Sequence, residues 1–446
     1  MTENYFVCCF VEKYKKMKNI ILLSAIFLII SCNSCSNKES TKSDSATTNS
    51  ITNALPAPAA APAPADTMTA APAKPAASAD ENNIGKEEAK KSSRTHITRS
   101  SAETHYDKSY DKINPSQEKT FYKMHVFYGT DRKRTGSNDA STYYGPERNL
   151  EKYEVGIVNV SIPLDHKIGE IEAPWPFQFW NRKDSTKYIL SLGIQPLDYE
   201  TFFKKIKTIV ENSDERDAFV FIHGYNNTFD EAAKRTAQLA FDLGFKGAPI
   251  MFSWPSRGTV LGYTADEESV AWAIPHLNDF ISKVVTQTNA KKIHLIAHSM
   301  GNRALTTVLS SMQSTHPGVL FDQIILAAPD IDAETFKSQI APKILSISNR
   351  ITLYASSRDK ALIASQKVHH DIRVGEGGKH IFIRDSIETV DASNLITSDF
   401  FDHAYFVQSR PVIDDISKLF YFNAPPQKRN LILQTIAIGK YWLFKK

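Results

Sequence analysis

Short apolar runs alternate with stretches of helical spacing from about residue 119 to the end of the chain. Each run is continuous or alternating and is bounded by turn-forming residues, which is typical of β-strands. The runs lie at residues 121–128, 155–162, 218–222, 249–252, 293–297, 323–328, 351–354 and 387–390. Strands that alternate with helices predict a mostly parallel, doubly wound sheet of the α/β class. The first two strands are expected to form an antiparallel N-terminal edge.

One predicted strand ends at a serine in a tight turn. Apolar residues at 293–296 lead into Ala297-His298-Ser299-Met300-Gly301, and residues 302–309 continue with apolar positions at helical spacing. Small residues beside the serine let a strand turn into a helix with the hydroxyl held clear of the sheet. Ala297 stands where the pattern G-x-S-x-G has its first glycine. The segment therefore predicts a nucleophile elbow with Ser299 as the nucleophile.

A serine nucleophile needs a histidine base and a carboxylate that orients this histidine. In doubly wound sheets such groups collect on loops after the strands, in the chain order serine, acid, histidine. Asp359 follows the strand at 351–354 and Asp330 follows the strand at 323–328. Asp359 is favoured because the later loop is the more usual position, and Asp330 remains the alternative acid. Helix N-capping is the other role open to each of them.

His403 is the candidate base because it follows the last predicted strand and can turn back over the sheet edge towards Ser299. His380 precedes that strand and is expected at the opposite edge. His298 is adjacent to Ser299 in sequence, but its side chain should point away from the serine, so a packing role is expected.

Backbone N–H groups are the expected donors to the oxyanion that forms during acyl transfer. Met300 directly follows the nucleophile and supplies the first donor. The second should come from the loop after His223-Gly224, where glycine permits close backbone approach, so Tyr225 is the candidate. The segment at 253–272, rich in aromatic and polar residues, is interpreted either as a pocket wall or lid, or as a helix packed on the sheet.

The N-terminal segment differs in composition from the rest of the chain. Several lysines at 13–18 precede an apolar run at 20–30, which is typical of a signal peptide and short for a membrane span. The run ends at Ile29-Ile30-Ser31-Cys32, which resembles a bacterial lipobox. The resemblance implies that Cys32 carries a lipid anchor. We therefore expect residues 1–31 to be a signal peptide, with Met17 as an alternative start.

Residues 32–118 are rich in Ala, Pro and Ser and contain few large apolar side chains. Such a composition predicts a disordered tether, and a spacer is favoured over a cell-wall-binding segment. Residues 119–446 are expected to form the catalytic domain.

Charge and cysteine content narrow the class of protein. All four cysteines lie within the first 35 residues, so the folded domain has neither a disulfide nor a thiol ligand. The net charge of +4 is small for 446 residues and is not gathered into a basic stripe, so nucleic acid is not an expected partner.

Six blocks, taken together, resemble an esterase/lipase-like α/β-hydrolase family of unknown function. They are residues 127–132 (FYGTDR), 221–226 (FIHGYN), 252–256 (FSWPS), 297–301 (AHSMG), 354–362 (YASSRDKAL) and 402–406 (DHAYF). The resemblance spans roughly residues 121–409. It implies an α/β-hydrolase fold with Ser299, Asp359 and His403 as the catalytic triad. Ala404 departs from the family, in which serine commonly follows the histidine.

These observations predict a membrane-anchored serine hydrolase that cleaves carboxylic esters through an acyl-enzyme intermediate, without a metal or an organic cofactor. Its expected partners are a small acyl ester and, through lipidated Cys32, a membrane of the bacterial cell envelope, on the outer-membrane or periplasmic side. One alternative keeps the triad and takes thioesters, amides or lysophospholipids as substrates. Another is a non-catalytic surface lipoprotein that uses the hydrolase scaffold for binding. The sequence indicates no oligomeric state.

Overall fold

A computed structural model of the chain describes residues 120–174, 183–316, 318–395 and 403–445. The predicted signal peptide, the tether and Cys32 lie outside these residues. Within the described ranges, the structure contains no helix with the length and apolar character needed to span a bilayer.

Thirteen strands lie in the described residues. They are β1 (Phe121–Thr130), β2 (Arg132–Arg134), β3 (Tyr144–Arg148), β4 (Glu154–Pro163), β5 (Ser191–Leu197), β6 (Asp217–Ile222), β7 (Ala248–Ser253), β8 (Lys292–His298), β9 (Phe321–Ala327), β10 (Ser348–Ala355), β11 (Glu388–Asp391), β12 (Leu431–Ile436) and β13 (Gly439–Phe444).

Eleven of these strands form one sheet, in the order β12-β13-β11-β10-β9-β8-β6-β7-β1-β4-β5. The neighbours from β13 to β1 run parallel. Strands β4 and β5 extend one side in antiparallel fashion, and β12 does so at the other. The predicted mostly parallel sheet with an antiparallel N-terminal edge is therefore confirmed. Strands β2 and β3 pair separately in a small antiparallel sheet.

Helices cover both faces of the large sheet. The longer ones are α1 (Tyr199–Asn212), α2 (Phe229–Asp242), α3 (Tyr263–Gln287), α4 (Gly301–Thr315), α5 (Lys360–His369) and α6 (Arg410–Phe422). Short helices lie at Ala333–Thr335, Ala341–Ile344 and Tyr405–Gln408. Buried residues of α1, α3 and α4 join the core on one face, and those of α2 and α6 join the core on the other. Central strands buried on both faces explain their continuous apolar sequences.

In the large sheet, the strands that the sequence pattern did not predict are β5 at one end and the β12–β13 hairpin at the other. Strand β5 contains Gly193 and Pro196, both of which weaken a strand signal, and its residues are only partly buried. Strands β12 and β13 form a hairpin whose Leu431 and Phe444 are buried. The hairpin therefore lengthens the large sheet, because β13 pairs with β11.

Strand β8 carries a buried histidine near its start. The ring of His294 stacks on Phe420 of α6, with centroids 3.9 Å apart. Among the described residues, neither ring nitrogen has a hydrogen-bond partner, and Asp322 Oδ2 lies 3.7 Å from Nδ1. Burial lowers the pKa of His294 to about 3, so the ring is neutral near pH 7.

Replacing His294 with Phe should make the fold less sensitive to acid. An unfolded histidine titrates at about pH 6.5, so on acidification the unfolded chain binds a proton that the folded chain excludes until about pH 3. The free energy of unfolding should fall through this window, by at most about 1.4 kcal/mol per pH unit from this group. Urea unfolding at about pH 7.5 and about pH 5 measures the loss. The loss should be smaller in His294→Phe by about 1–2 kcal/mol, and an equal loss would contradict the assignment.

Candidate active site

The turn after β8 holds Ser299 in a strained backbone conformation. Ser299 has a φ of 52°, in the left-handed region that non-glycine residues rarely adopt. Its N–H donates to Ala327 O over 3.0 Å, and its own carbonyl accepts from Asp330 N–H over 3.3 Å. Strand β9 and the loop after it therefore hold the strained turn in place.

Gly301 lies two residues after Ser299, at a position where only glycine fits. A Cβ at this residue would lie 2.4 Å from His223 O and 2.9 Å from Ile222 O. These are backbone atoms at the end of β6, and they have little freedom to move. Ala297, at the place of the first glycine in the pattern, is fully buried in β8 and its methyl group is accommodated.

Asn302 braces the turn from the first turn of α4, and sequence reasoning did not identify it. Its Nδ2 lies 3.2 Å from Ala297 O, 3.1 Å from Ser299 O and 3.1 Å from Ala327 O. The side chain is fully buried. The signal in the sequence is a polar amide directly after the elbow, in a helix whose other buried positions are mostly apolar.

Gly301→Ala should disturb the elbow strongly, because its methyl group would clash with the backbone of β6. Overpacking of this kind costs about 1–3 kcal/mol, so the melting temperature should fall and any reactivity of Ser299 should fall with it. Gly193→Ala in β5 is the matched control, since nothing lies within 4 Å of its added Cβ. Thermal unfolding of both variants tests this. A Gly301→Ala protein as stable as Gly193→Ala would contradict the packing argument.

His403 and Asp359 form a hydrogen-bonded pair. His403 Nδ1 lies 2.7 Å from Asp359 Oδ2, and both side chains are largely buried. Asp359 is also the N-cap of α5, where Oδ1 accepts from Leu362 N–H over 3.0 Å. Burial raises the pKa of Asp359, while the neighbouring His403 and the helix amides oppose that rise. One carboxylate thus both caps a helix and orients a histidine.

Asp330, the alternative acid, is engaged by a different set of groups. Its Oδ1 accepts from Ser365 Oγ over 2.6 Å and from Arg373 Nε over 2.9 Å. Its Oδ2 accepts from Tyr263 OH over 2.6 Å and from Arg303 Nη2 over 3.1 Å. Although burial acts in the opposite direction, the two guanidiniums hold the pKa of Asp330 well below its usual range. The structure therefore brings Asp359, and not Asp330, into contact with His403.

His298 packs beside His403. The two rings have centroids 4.5 Å apart, and the other neighbour of His298 is Phe406, also at 4.5 Å. His298 Nε2 lies 3.2 Å from the carbonyl oxygen of His403, so this ring also contacts the backbone that carries the candidate base. Burial, followed by the nearby His403, lowers the pKa of His298 well below its ordinary value. His380, by contrast, pairs with Glu376 at 2.9 Å.

The loop after β6 lies directly against the elbow. A Cβ on Gly224 would lie 2.8 Å from Ser299 Cβ and 3.1 Å from His298 Nδ1, so glycine is needed for this approach. Tyr225 follows Gly224, and the next residue, Asn226, has a φ of 56°. Met300 is the N-cap of α4, where backbone N–H groups have no acceptor inside the helix. Both candidate oxyanion donors thus belong to segments next to Ser299.

In the segment at 253–272, residues 253–256 are buried, residues 257–262 are partly or fully exposed, and α3 begins at Tyr263. Trp254 is fully buried, stacks on His223 with centroids 4.9 Å apart, and donates from Nε1 to His223 O over 2.8 Å. Tyr263, the first residue of α3, packs edge-on against Tyr225 at 5.2 Å. Residues 263–272 thus form the first turns of α3, and buried residues before them contact the loop that carries Tyr225.

Across the residues described, no group of three or more His, Cys, Asp and Glu side chains could hold a metal ion.

The chain is similar to a described protein family and, over a short stretch, to one curated protein. Residues 199–419 match the model of a family described as "Alpha/beta hydrolase of unknown function (DUF900)". A stretch of 77 residues is 37% identical to the uncharacterized protein alr1448 of Nostoc sp. (strain PCC 7120), covering 17% of this chain and 20% of that protein. The match thus spans about a fifth of the length of this curated relative.

Two solved structures are among those similar to the chain. One is a lipase-esterase related protein from Clostridium acetobutylicum, with 10% identity and a TM-score of 0.28, covering 46% of this chain and 96% of that one. The other is the acylaminoacyl peptidase of Pyrococcus horikoshii, with 12% identity and a TM-score of 0.29, covering 70% of this chain and 42% of that one.

Proposed function

We propose that the chain is a serine hydrolase of carboxylic esters. The premise is that it belongs, through residues 199–419, to the α/β hydrolases of unknown function. The family match confirms the family and the α/β-hydrolase fold that the six sequence blocks indicate. The observation that carries the proposal is the hydrogen-bonded pair of His403 and Asp359. His403 packs against His298, and the next residue in the chain is Ser299 in its strained turn.

In the proposed mechanism, Ser299 attacks the ester carbonyl while His403 accepts its proton at Nε2. Asp359 accepts the Nδ1–H of His403, which fixes the tautomer and stabilises the imidazolium that forms. The N–H groups of Tyr225 and Met300 donate to the developing oxyanion. His403 then returns the proton to the leaving alkoxide. In the second half of the reaction, water attacks the acyl group and His403 accepts the proton of that water. Ser299 leaves, and His403 returns the proton to its oxygen.

Fluorophosphonate labelling of the full chain tests whether Ser299 is activated. The wild type should react covalently, while Ser299→Ala and His403→Ala should lose nearly all labelling and stay folded. Equal labelling in Ser299→Ala would place the reactive group elsewhere. A folded wild type that neither labels nor cleaves activated esters would instead favour the alternative of a binding protein on a hydrolase scaffold.

Asp359→Asn and Asp330→Asn form a matched pair that separates the two candidate acids. Asp359→Asn leaves His403 without its carboxylate and should slow ester hydrolysis by about 10³–10⁴-fold. Asp330→Asn leaves the buried guanidinium of Arg373 and the half-buried one of Arg303 less well paired, so it should lower the melting temperature and reduce the rate far less. Steady-state kinetics and thermal unfolding measure both effects. The reverse order of rate losses would make Asp330 the acid.

The nature of the acyl substrate is a separate part of the proposal. Carboxylic esters of small molecules are the proposed class, and thioesters, amides and lysophospholipids are the alternatives that the same triad would serve. A panel of acyl substrates sharing one acyl chain and differing in the leaving atom separates these classes. An ester preference supports the proposal, and higher kcat/KM on an amide or thioester would replace it.

We further propose that the protein is attached to a membrane of the bacterial cell envelope through a lipid on Cys32. The support is the sequence of residues 13–32, with lysines, an apolar run and a terminal Ile-Ile-Ser-Cys.

Cys32→Ser and Cys35→Ser are matched variants for the anchor, because the two cysteines lie three residues apart. In bacterial cells fed a radiolabelled fatty acid, the wild type and Cys35→Ser should incorporate label and sediment with membranes. Cys32→Ser should do neither. Incorporation into Cys32→Ser, or its absence from the wild type, would contradict lipid attachment at Cys32.

A further inference from the structure

Arg132 is a buried cation at the end of the FYGTDR block, and the proposed mechanism gives it no role. Only 1% of the residue is exposed, and it begins β2 just after β1 ends. Burial lowers the pKa of Arg132 to about 10, so it remains protonated near pH 7. A buried guanidinium requires a full set of acceptors, because removing a charge from water is costly.

The acceptors of Arg132 include one carbonyl on each of the loops that follow β6 and β7. Nη2 donates to Asn227 O over 2.7 Å, and Nη1 donates to Ser256 O over 2.9 Å and to Gly145 O over 3.3 Å. Nε donates to Ser253 Oγ over 2.9 Å. The planar fork thus connects the loop after β6 with the loop after β7, as a guanidinium with several fixed donors can.

His223 is neutral because it is buried and because it lies beside the charge of Arg132. Its Nδ1 lies 2.7 Å from Gly224 O, so Nδ1 carries the proton and Nε2 is left as an acceptor. Arg132 Nη2 lies 3.5 Å from this Nε2, and Ser253 Oγ lies 3.2 Å from it. Burial and the charge of Arg132 lower the pKa of His223 to about 3.

The loop that Arg132 holds is the one that carries Tyr225. Its amides are held from the other side: Asn226 N–H donates to Asp266 Oδ2 and Asn227 N–H donates to Ser256 Oγ, each over 3.1 Å. Tyr225 therefore lies between Gly224, which contacts the elbow, and Asn226 in its left-handed conformation. A displacement of Asn227 would rotate the peptide groups before it, including the Tyr225 N–H.

We propose that Arg132 is a positioning residue that fixes the oxyanion-binding loop of the hydrolase by clamping the carbonyls of Asn227 and Ser256. This inference rests on the proposed function and deepens it. Arg132 does not touch the substrate. Its effect on the reaction is expressed through the direction of the Tyr225 N–H, and misplacement of a group by about 1 Å can cost about 10²-fold in rate.

Arg132→Gln and Arg134→Gln are matched variants two residues apart. Arg134 is largely solvent-accessible and pairs with Glu154, so its replacement should leave kinetics unchanged. Arg132→Gln should lower kcat on an activated ester by about 30–100-fold with KM within about 3-fold, because oxyanion stabilisation acts in the transition state. Arg132→Lys should not restore kcat, since one ammonium cannot replace the fork that reaches both Asn227 O and Ser256 O.

Thermal unfolding accompanies the kinetics, and assays are run well below the melting temperature of each variant. A folded Arg132→Gln with wild-type kcat, a rise in KM alone, or full rescue by Lys would overturn the inference. Where Arg132→Gln does not fold, Arg132→Lys is assayed in its place, because it keeps the positive charge and loses the fork. It should lower kcat at unchanged KM, and a folded Arg132→Lys with wild-type kcat would overturn the inference as well.

Fluorophosphonate labelling separates this inference from the proposed function. Failure of the wild type to label at Ser299 counts against the proposed function itself. Normal wild-type labelling, combined with an equal labelling rate in Arg132→Gln, counts against the role of Arg132 alone.

Discussion

The close approach of the elbow to the end of β6 is the constraint on which the rest of the site depends. Added Cβ atoms on Gly301 and on Gly224 would both fall inside contact distance of the facing segment. Two glycines, one on each side, thus let backbone meet backbone where a side chain would separate them. This contact sets the distance between Ser299 and the loop of Tyr225, so it determines whether the proposed nucleophile and the proposed oxyanion donors can act on one carbonyl.

Hydrogen bonds from other elements hold Ser299 in its strained backbone conformation. Ser299 stays at a positive φ because Ala327 O in β9 accepts its N–H, and Asn302 Nδ2 contacts both Ala297 O and Ala327 O. His403 is held in turn by Asp359 at its ring and by His298 at its backbone. The groups that we propose to react are therefore oriented by residues whose own positions are fixed by burial, as preorganised sites require.

Much of the fold could be predicted from the sequence, because central strands buried on both faces leave unbroken apolar runs. The edges could not, since β5 and β12 have mixed exposure and their pairing is set by the neighbours they meet. The elbow was recognisable because a turn of this kind needs small residues at fixed spacing. The loop after β6 could be identified as a candidate donor segment only because the elbow at Ser299 was predicted as well.

The choice between Asp359 and Asp330 depends on tertiary contacts that spacing does not encode. Both residues follow parallel strands, and the difference arises because Arg303 and Arg373, from two distant parts of the chain, converge on Asp330. Arg132 shows the same limit. An arginine shortly after a predicted strand resembles a surface residue until the loops after β6 and β7 are seen to contact it.

The most direct test of the account is to identify the atom that carries the acyl group during turnover. The wild-type protein is mixed with an activated ester, quenched in acid within the first turnovers, digested and mapped by mass spectrometry. The account predicts one acyl group on Ser299, in the peptide that contains Ala297-His298-Ser299-Met300-Gly301. An acyl group on another residue, or turnover with no covalent intermediate when deacylation is made rate-limiting, would contradict it.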